Sequence, residues 1–94
     1  MFNAKISEHG EVLLSGRFDA SQVEKAKAVF AKINKSCVVN FNDLEYISSA
    51  GLGVLLFTQK RLSESGNSIK LINMNKHIKD VFKYAGFDKI FEIE

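Results

Sequence analysis

The sequence has no proline, no tryptophan, one cysteine, two histidines and six glycines in 94 residues. The lone thiol, Cys37, has no second cysteine in the chain, which excludes an intramolecular disulfide scaffold and fits a reducing cytoplasm. Long apolar runs are also missing. None exceeds the four residues of Val54-Leu55-Leu56-Phe57, far short of the ~20 residues of a membrane-spanning helix. Met1-Phe2-Asn3-Ala4-Lys5 has no basic segment feeding an apolar one, so no secretory leader is expected. An excess of one charge is absent too: 13 Lys plus Arg against 11 Asp plus Glu give a net charge of +2. That is too little for an electrostatic footprint on nucleic acid. Two histidines and one cysteine fall short of a four-ligand zinc site, and Cys37 lies in a core-strand pattern.

Apolar residues, by contrast, make up 46% of the chain. This is enough to bury a core, and the length fits a single domain over residues 1–94. Phe2, Ala4 and Ile6 alternate with Asn3, Lys5 and Ser7, the period of a strand. Glu8-His9-Gly10 reads as a turn and Val12-Leu13-Leu14 as the returning strand of an antiparallel hairpin. From Ser21 the period changes. Ser21-Gln22-Val23-Glu24 has the spacing of a capping box, and Val23, Ala26, Val29, Phe30 and Ile33 follow at helical intervals. Cys37-Val38-Val39-Asn40-Phe41, apolar on both faces, predicts a central strand covered on both sides.

Ser48 and Ser49 are candidate caps for a second helix from about Ala50 to Ser65, with Gly66 placed to close it in a left-handed conformation. A strand around Ile69 and Leu71 follows. Asn75 is placed to cap a third helix carrying Ile78, Val81, Phe82 and Ala85, with Gly86 at its stop. Ile90-Phe91-Glu92-Ile93 is a last short strand or part of a terminal helix. The resulting order, ββαβαβα with an optional β, predicts an α/β domain.

Few motifs carry chemistry. Gly51-Leu52-Gly53 begins a dinucleotide fingerprint, but Leu56 stands where the third glycine belongs, and no Lys-Ser or Lys-Thr pair follows a glycine-rich loop. Lys76, Lys79 and Lys83 form a stripe opposite the apolar face of the third helix, with no interleaved aromatics for base stacking. The informative stretch is Asn42 to Leu56. It sets two hydroxyls between a strand and a helix, where free N–H groups and the positive end of the helix dipole favour negative charge. Ala50, Gly51 and Gly53 keep the first helical turns small, which lets another protein approach the hydroxyls. Two glycines near the helix start cost roughly 1 kcal/mol each against alanine, so helix stability is not what placed them.

Ser48-Ser49-Ala50-Gly51-Leu52-Gly53, following Leu44-Glu45-Tyr46-Ile47, resembles the signature of the STAS family, the bacterial anti-sigma-factor antagonists. Gly16-Arg17-Phe18-Asp19 and Val81-Phe82-Lys83-Tyr84-Ala85-Gly86-Phe87 also resemble family segments, so the likeness spans the chain. The resemblance implies a small mixed β-sheet of four to five strands flanked by α-helices and opening with a β-hairpin. It places Ser49 at the position phosphorylated by a partner anti-sigma kinase, with Asp19 close by. Ser48 stands where phosphorylated members usually carry Asp.

The implied protein is a substrate and not an enzyme. It works without cofactor or metal, and its partners are an ATPase-fold anti-sigma factor with serine kinase activity and a serine phosphatase. Neither nucleic acid nor membrane is among the partners. The alternative is an unmodified STAS scaffold in a signalling complex. The expected partner surface comprises Asp19, Ser48, Ser49, Ala50, Gly51 and Gly53, extended by Val54 or Phe57. Those last two fall outside the core-facing stripe of Leu52, Leu55, Leu56 and Leu62, and one of them is expected to stay partly exposed.

Overall fold

The computed structural model describes residues 2–94. The elements are β1 (Asn3–Ile6), β2 (Val12–Phe18), α1 (Val23–Phe30), β3 (Cys37–Ile47), α2 (Ser49–Ser63), β4 (Ile69–Ile72), α3 (Lys76–Tyr84) and β5 (Glu92–Ile93). Single 3-10 turns at Ala20–Gln22 and Phe87–Lys89 precede α1 and β5. The fold is the expected α/β arrangement, and the C-terminal segment ends as a strand.

The sheet order is β1-β2-β3-β4-β5. β1 and β2 form the antiparallel hairpin, while the β2–β3, β3–β4 and β4–β5 pairs are all parallel. β3 is central as expected, but it runs on to Ile47, well past Phe41. Register shifts against β2 explain how an irregular pattern remains one strand. Leu13 to Ser15 spans Asn40 to Asp43, and Gly16 to Arg17 spans Leu44 to Tyr46, so β3 carries an extra residue in each interval. Each extra residue resets the alternation, and the buried positions Val39, Phe41, Leu44 and Ile47 are accordingly spaced two, three and three.

The expectation that β3 is covered on both sides is corrected. Val39 and Phe41 are fully buried, whereas Val38 and Asn40 are half-buried. β2 and β4 show the same one-sided alternation. Three helices of 8, 15 and 9 residues cover one face and leave the other open.

On the covered face Phe2 stacks on Phe18 at 4.6 Å, and Phe82 meets Phe41, Phe87 and Phe91 edge-on. The short edge strand β5 is tied down by the Lys70 ammonium, 2.9 Å from the Glu94 carboxylate and 3.7 Å from that of Glu92. One side chain fixes α1 to α2. Nη2 of Arg61 donates to the carbonyls of Phe30 and Ile33, both at 2.9 Å, and so satisfies acceptors where α1 ends.

Three helix ends follow local chemistry. Asn75 accepts from the Ile78 N–H at 2.8 Å and caps α3 as expected. Gly66 adopts φ +79 in the turn after α2, a conformation glycine reaches without a Cβ clash. The capping box at Ser21 does not form. Asp19 caps the preceding 3-10 turn instead, its Oδ1 accepting from the Ser21 N–H at 3.0 Å and from the Ser21 hydroxyl. The cap is set two residues earlier because β2 ends at Phe18, whose carbonyl is held by the Ser48 N–H.

Candidate functional site

β2 and β3 lie side by side in parallel, pairing Phe18 with Ile47. The residues that follow, Asp19 and Ser48, therefore emerge at the same end of the sheet, and the Ser48 N–H donates to the Phe18 carbonyl at 2.9 Å. Sheet pairing thus brings together positions almost thirty residues apart. The site sits at this end of the sheet, with the turn that leads to α1 on one side and the start of α2 on the other.

The two adjacent serines are used differently. Ser48 is extended, with φ −91 and ψ 170, and its hydroxyl accepts from the Gly51 N–H at 3.1 Å, which makes it the N-cap of α2. Ser49 is the first helical residue and is exposed. Among the described residues its hydroxyl enters no hydrogen bond. It stands where uncapped N–H groups and the helix dipole favour an anion. Aspartate caps as well as serine does, so Ser48 does the local capping work that an acidic residue at this place would do.

The glycines are used differently as well. Gly51 is buried, and a Cβ built on it would lie 2.9 Å from Cγ1 of Ile47 and 3.1 Å from the Phe18 ring. Its smallness lets α2 close onto the sheet, and it adds no side to the surface. A Cβ on Gly53 would meet nothing within 4 Å. The two alanine variants should therefore move stability in opposite directions. Gly51→Ala costs about 1–3 kcal/mol of overpacking, more than the ~1 kcal/mol of helix propensity it gains. Gly53→Ala keeps that gain, up to about 1 kcal/mol, with nothing to offset it. Thermal melts of both variants against wild type check the pair, and a raised melting temperature for Gly51→Ala would refute the packing account.

Of Val54 and Phe57, the exposed residue is Phe57, at 67%. Val54 is 5% exposed and belongs to the core, which corrects its place outside the core-facing stripe. Leu56, assigned to that stripe, is only half-buried. The reason is a second neighbour: α2 packs on the sheet and also beside α1, and Ala50, Val54, Thr58 and Arg61 form the α1-facing side at helical spacing. Phe57, next to that side, projects toward solvent. Lys27 and Phe30 on α1 and Arg61 on α2 border the same place; no motif marks them, and the local signals are the apolar spacing of α1 for Phe30 and the spacing from Val54 and Thr58 along α2 for Arg61.

Other reactive groups lie elsewhere. Burial pushes the Cys37 thiol up from its ordinary value, which keeps it protonated and weakly nucleophilic at neutral pH. His9, in the hairpin turn, is exposed beside Glu8 at 3.8 Å, and His77 is in the first turn of α3. Among the described residues no group of three or more His, Cys, Asp or Glu could hold a metal ion. Among those residues, too, no helix is long and apolar enough to cross a membrane.

The family model described as "Mlab, STAS domain" matches residues 2–92. The chain belongs to the STAS family. A Bordetella bronchiseptica protein described as an anti-sigma factor antagonist, BtrV, is 32% identical to this STAS domain over 84 residues, covering 85% of this chain and 72% of the relative. A solved Thermotoga maritima structure, also described as an anti-sigma factor antagonist, superimposes with TM-score 0.80 at 27% identity, covering 98% of this chain and 84% of the other. The Bacillus cell fate determinant SpoIIAA in its phosphorylated form shares the fold, with TM-score 0.71 at 20% identity over 100% of this chain and 91% of that one. The STAS domain thus groups with anti-sigma factor antagonists, and its Ser48–Gly53 turn sits on the fold those proteins share.

Proposed function

We propose that this STAS domain is an anti-sigma factor antagonist that works by partner switching. Unphosphorylated, it binds an anti-sigma factor with serine kinase activity and so frees that factor's client. Transfer of a phosphoryl group to Ser49 releases it, and a serine phosphatase restores the binding form. The observation that carries this reading is the free, exposed hydroxyl of Ser49 at the first position of α2, beside a cap that already occupies Ser48. The partner surface consists of Asp19, Ser48, Ser49, Ala50, Gly53 and Phe57; Gly51 and Val54 support it from beneath. The STAS domain contributes no catalytic group to the transfer. It offers the acceptor hydroxyl at a helix end that stabilises the product anion. The chemistry belongs to the kinase, and release follows because a phosphate brings about −1.5 to −2 charges into a contact built around a neutral hydroxyl.

The test is to capture partners from the source cell, add ATP and Mg²⁺, and measure the intact mass of the STAS domain. The expected result is an ATPase-fold kinase on the column and a gain of one phosphate that peptide mapping assigns to Ser49. An unchanged mass with stable capture would favour the unmodified scaffold, and a phosphate found on Ser48 would overturn the assignment to Ser49.

A further inference from the structure

α1 and α2 leave between them an open groove of about 610 Å³. α1 follows β2 and α2 follows β3, and these strands are parallel, so both helices start at the Ser49 end of the sheet and run away from it together. Ala50 and Gly53 line the groove at that end, Phe30 and Val54 form its buried floor, and Phe57 stands exposed at its rim. The hydroxyl of Thr58 is committed to the Val54 carbonyl at 2.9 Å, so the groove meets an occupant with carbon.

The charged groups lining it are both cations, Lys27 and Arg61; among the described residues no carboxylate lines it. Arg61 spends Nη2 on two carbonyls and keeps its other guanidinium donors. Lys27 faces Glu24 across 3.6 Å in an exposed pair of the kind that contributes little and exchanges readily. These charges select among occupants. A second copy meeting this groove in a two-fold dimer would set Lys27 and Arg61 against their own equivalents. A groove open along its side encloses a small ligand poorly, whereas binding pockets bury most of a ligand's surface. An open apolar trough between two helices, lined by two cations and no carboxylate, suits a partner helix. α1 spans eight residues, or roughly 12 Å, which is about two turns and enough for apolar anchors at i, i+3 or i+4, and i+7.

We propose that the α1–α2 groove receives an acidic amphipathic helix of a partner protein, with its apolar face on Phe57, Val54 and Phe30 and a carboxylate at Lys27 and Arg61. The proposal rests on the reading that this side of α2 meets a partner, and it names the chemistry by which that partner is recognised. None of it requires a phosphate on Ser49.

The test is a displayed library of short helix-forming peptides selected against the STAS domain, followed by anisotropy titration of the selected peptides with wild type, Phe57→Asp and Lys27→Glu. The selected sequences should share apolar residues at helical spacing and at least one Asp or Glu beside them. Phe57→Asp should weaken binding by about tenfold or more, as for removal of a central anchor. Lys27→Glu should weaken it several-fold, with a difference that shrinks at high salt. Both side chains are exposed, so wild-type thermal transitions would confirm that the folds are intact. An empty selection, sequences without acidic residues, or binding that Phe57→Asp leaves unchanged would overturn the proposal. Failure of the phospho-switch shows separately, as an unchanged mass with kinase and ATP, whatever the peptides do.

Discussion

Replacing Ser49 with Asp is expected to weaken the complex with the partner kinase by about tenfold while raising the melting temperature of the free STAS domain. The two effects have opposite signs because they arise on different sides of one carboxylate. Within the domain, a negative charge at the first position of α2 meets the positive end of the helix dipole, which is worth about 0.3–1 kcal/mol at low salt. Toward the partner, the same charge enters a contact that accommodated a neutral hydroxyl, and its desolvation is uncompensated.

A phosphate, with more charge and three acceptor oxygens, should carry both effects further, lowering affinity on the order of a hundredfold. The stability gain of Ser49→Asp belongs to the ionised carboxylate, so it is present above the ordinary aspartate range and fades as pH falls through it. Ser49→Ala should bind like wild type and resist release by ATP. Calorimetric titration of the three proteins, with melts at neutral and acidic pH, checks the set. Wild-type affinity for Ser49→Asp would remove the electrostatic switch and leave the scaffold.

Val54→Asp is expected to lose about 4 kcal/mol or more, a large part of the roughly 5–15 kcal/mol that holds a small domain folded. Val54 is 5% exposed where α2 packs beside α1 and lines the same groove as Phe30, so a carboxylate there is largely stripped of water, and Lys27 and Arg61, which border the groove, offset only part of that cost. The new side chain would keep its proton to avoid a buried charge. Its folded-state pKa then lies above the unfolded value, and the variant should lose further stability relative to wild type as pH rises through the unfolded carboxylate range. Phe57→Asp, three positions on and largely exposed, should stay within about 0.5 kcal/mol of wild type. Urea unfolding of both variants at two pH values makes the comparison. Near-wild-type stability for Val54→Asp would mean that α1 does not cover it.

What the sequence revealed and what it hid follow from the range of the interactions concerned. Asn75 capping α3 and Ile78 with Phe82 facing the core depend on neighbours a few residues away, and both were legible. Gly51 was legible as small but not for the reason it is small. Its constraint comes from Phe18, which arrives through sheet pairing and leaves no local trace. The exchange of Leu56 for Val54 in the core has the same origin, because the buried sector of α2 is widened by α1, an element outside its own periodicity. Ser21 failed as a cap because the end of β2, fixed by the neighbouring strand, handed that task to Asp19. The candidate site itself was visible through its likeness to a family signature. Composition and spacing marked only a helix start with two hydroxyls and too many glycines.

The cap at Ser48 has a bearing on selectivity. Two identical side chains stand next to each other, yet an enzyme approaching this turn meets one available hydroxyl, because the other is held in place by the Gly51 amide. Under the proposed phosphoryl transfer, the choice between neighbouring serines would thus lie in the backbone geometry of this turn and ask little of the kinase's own reading of sequence. That difference between the two hydroxyls exists only while α2 is formed: when the helix start unravels, the two serines become chemically equivalent.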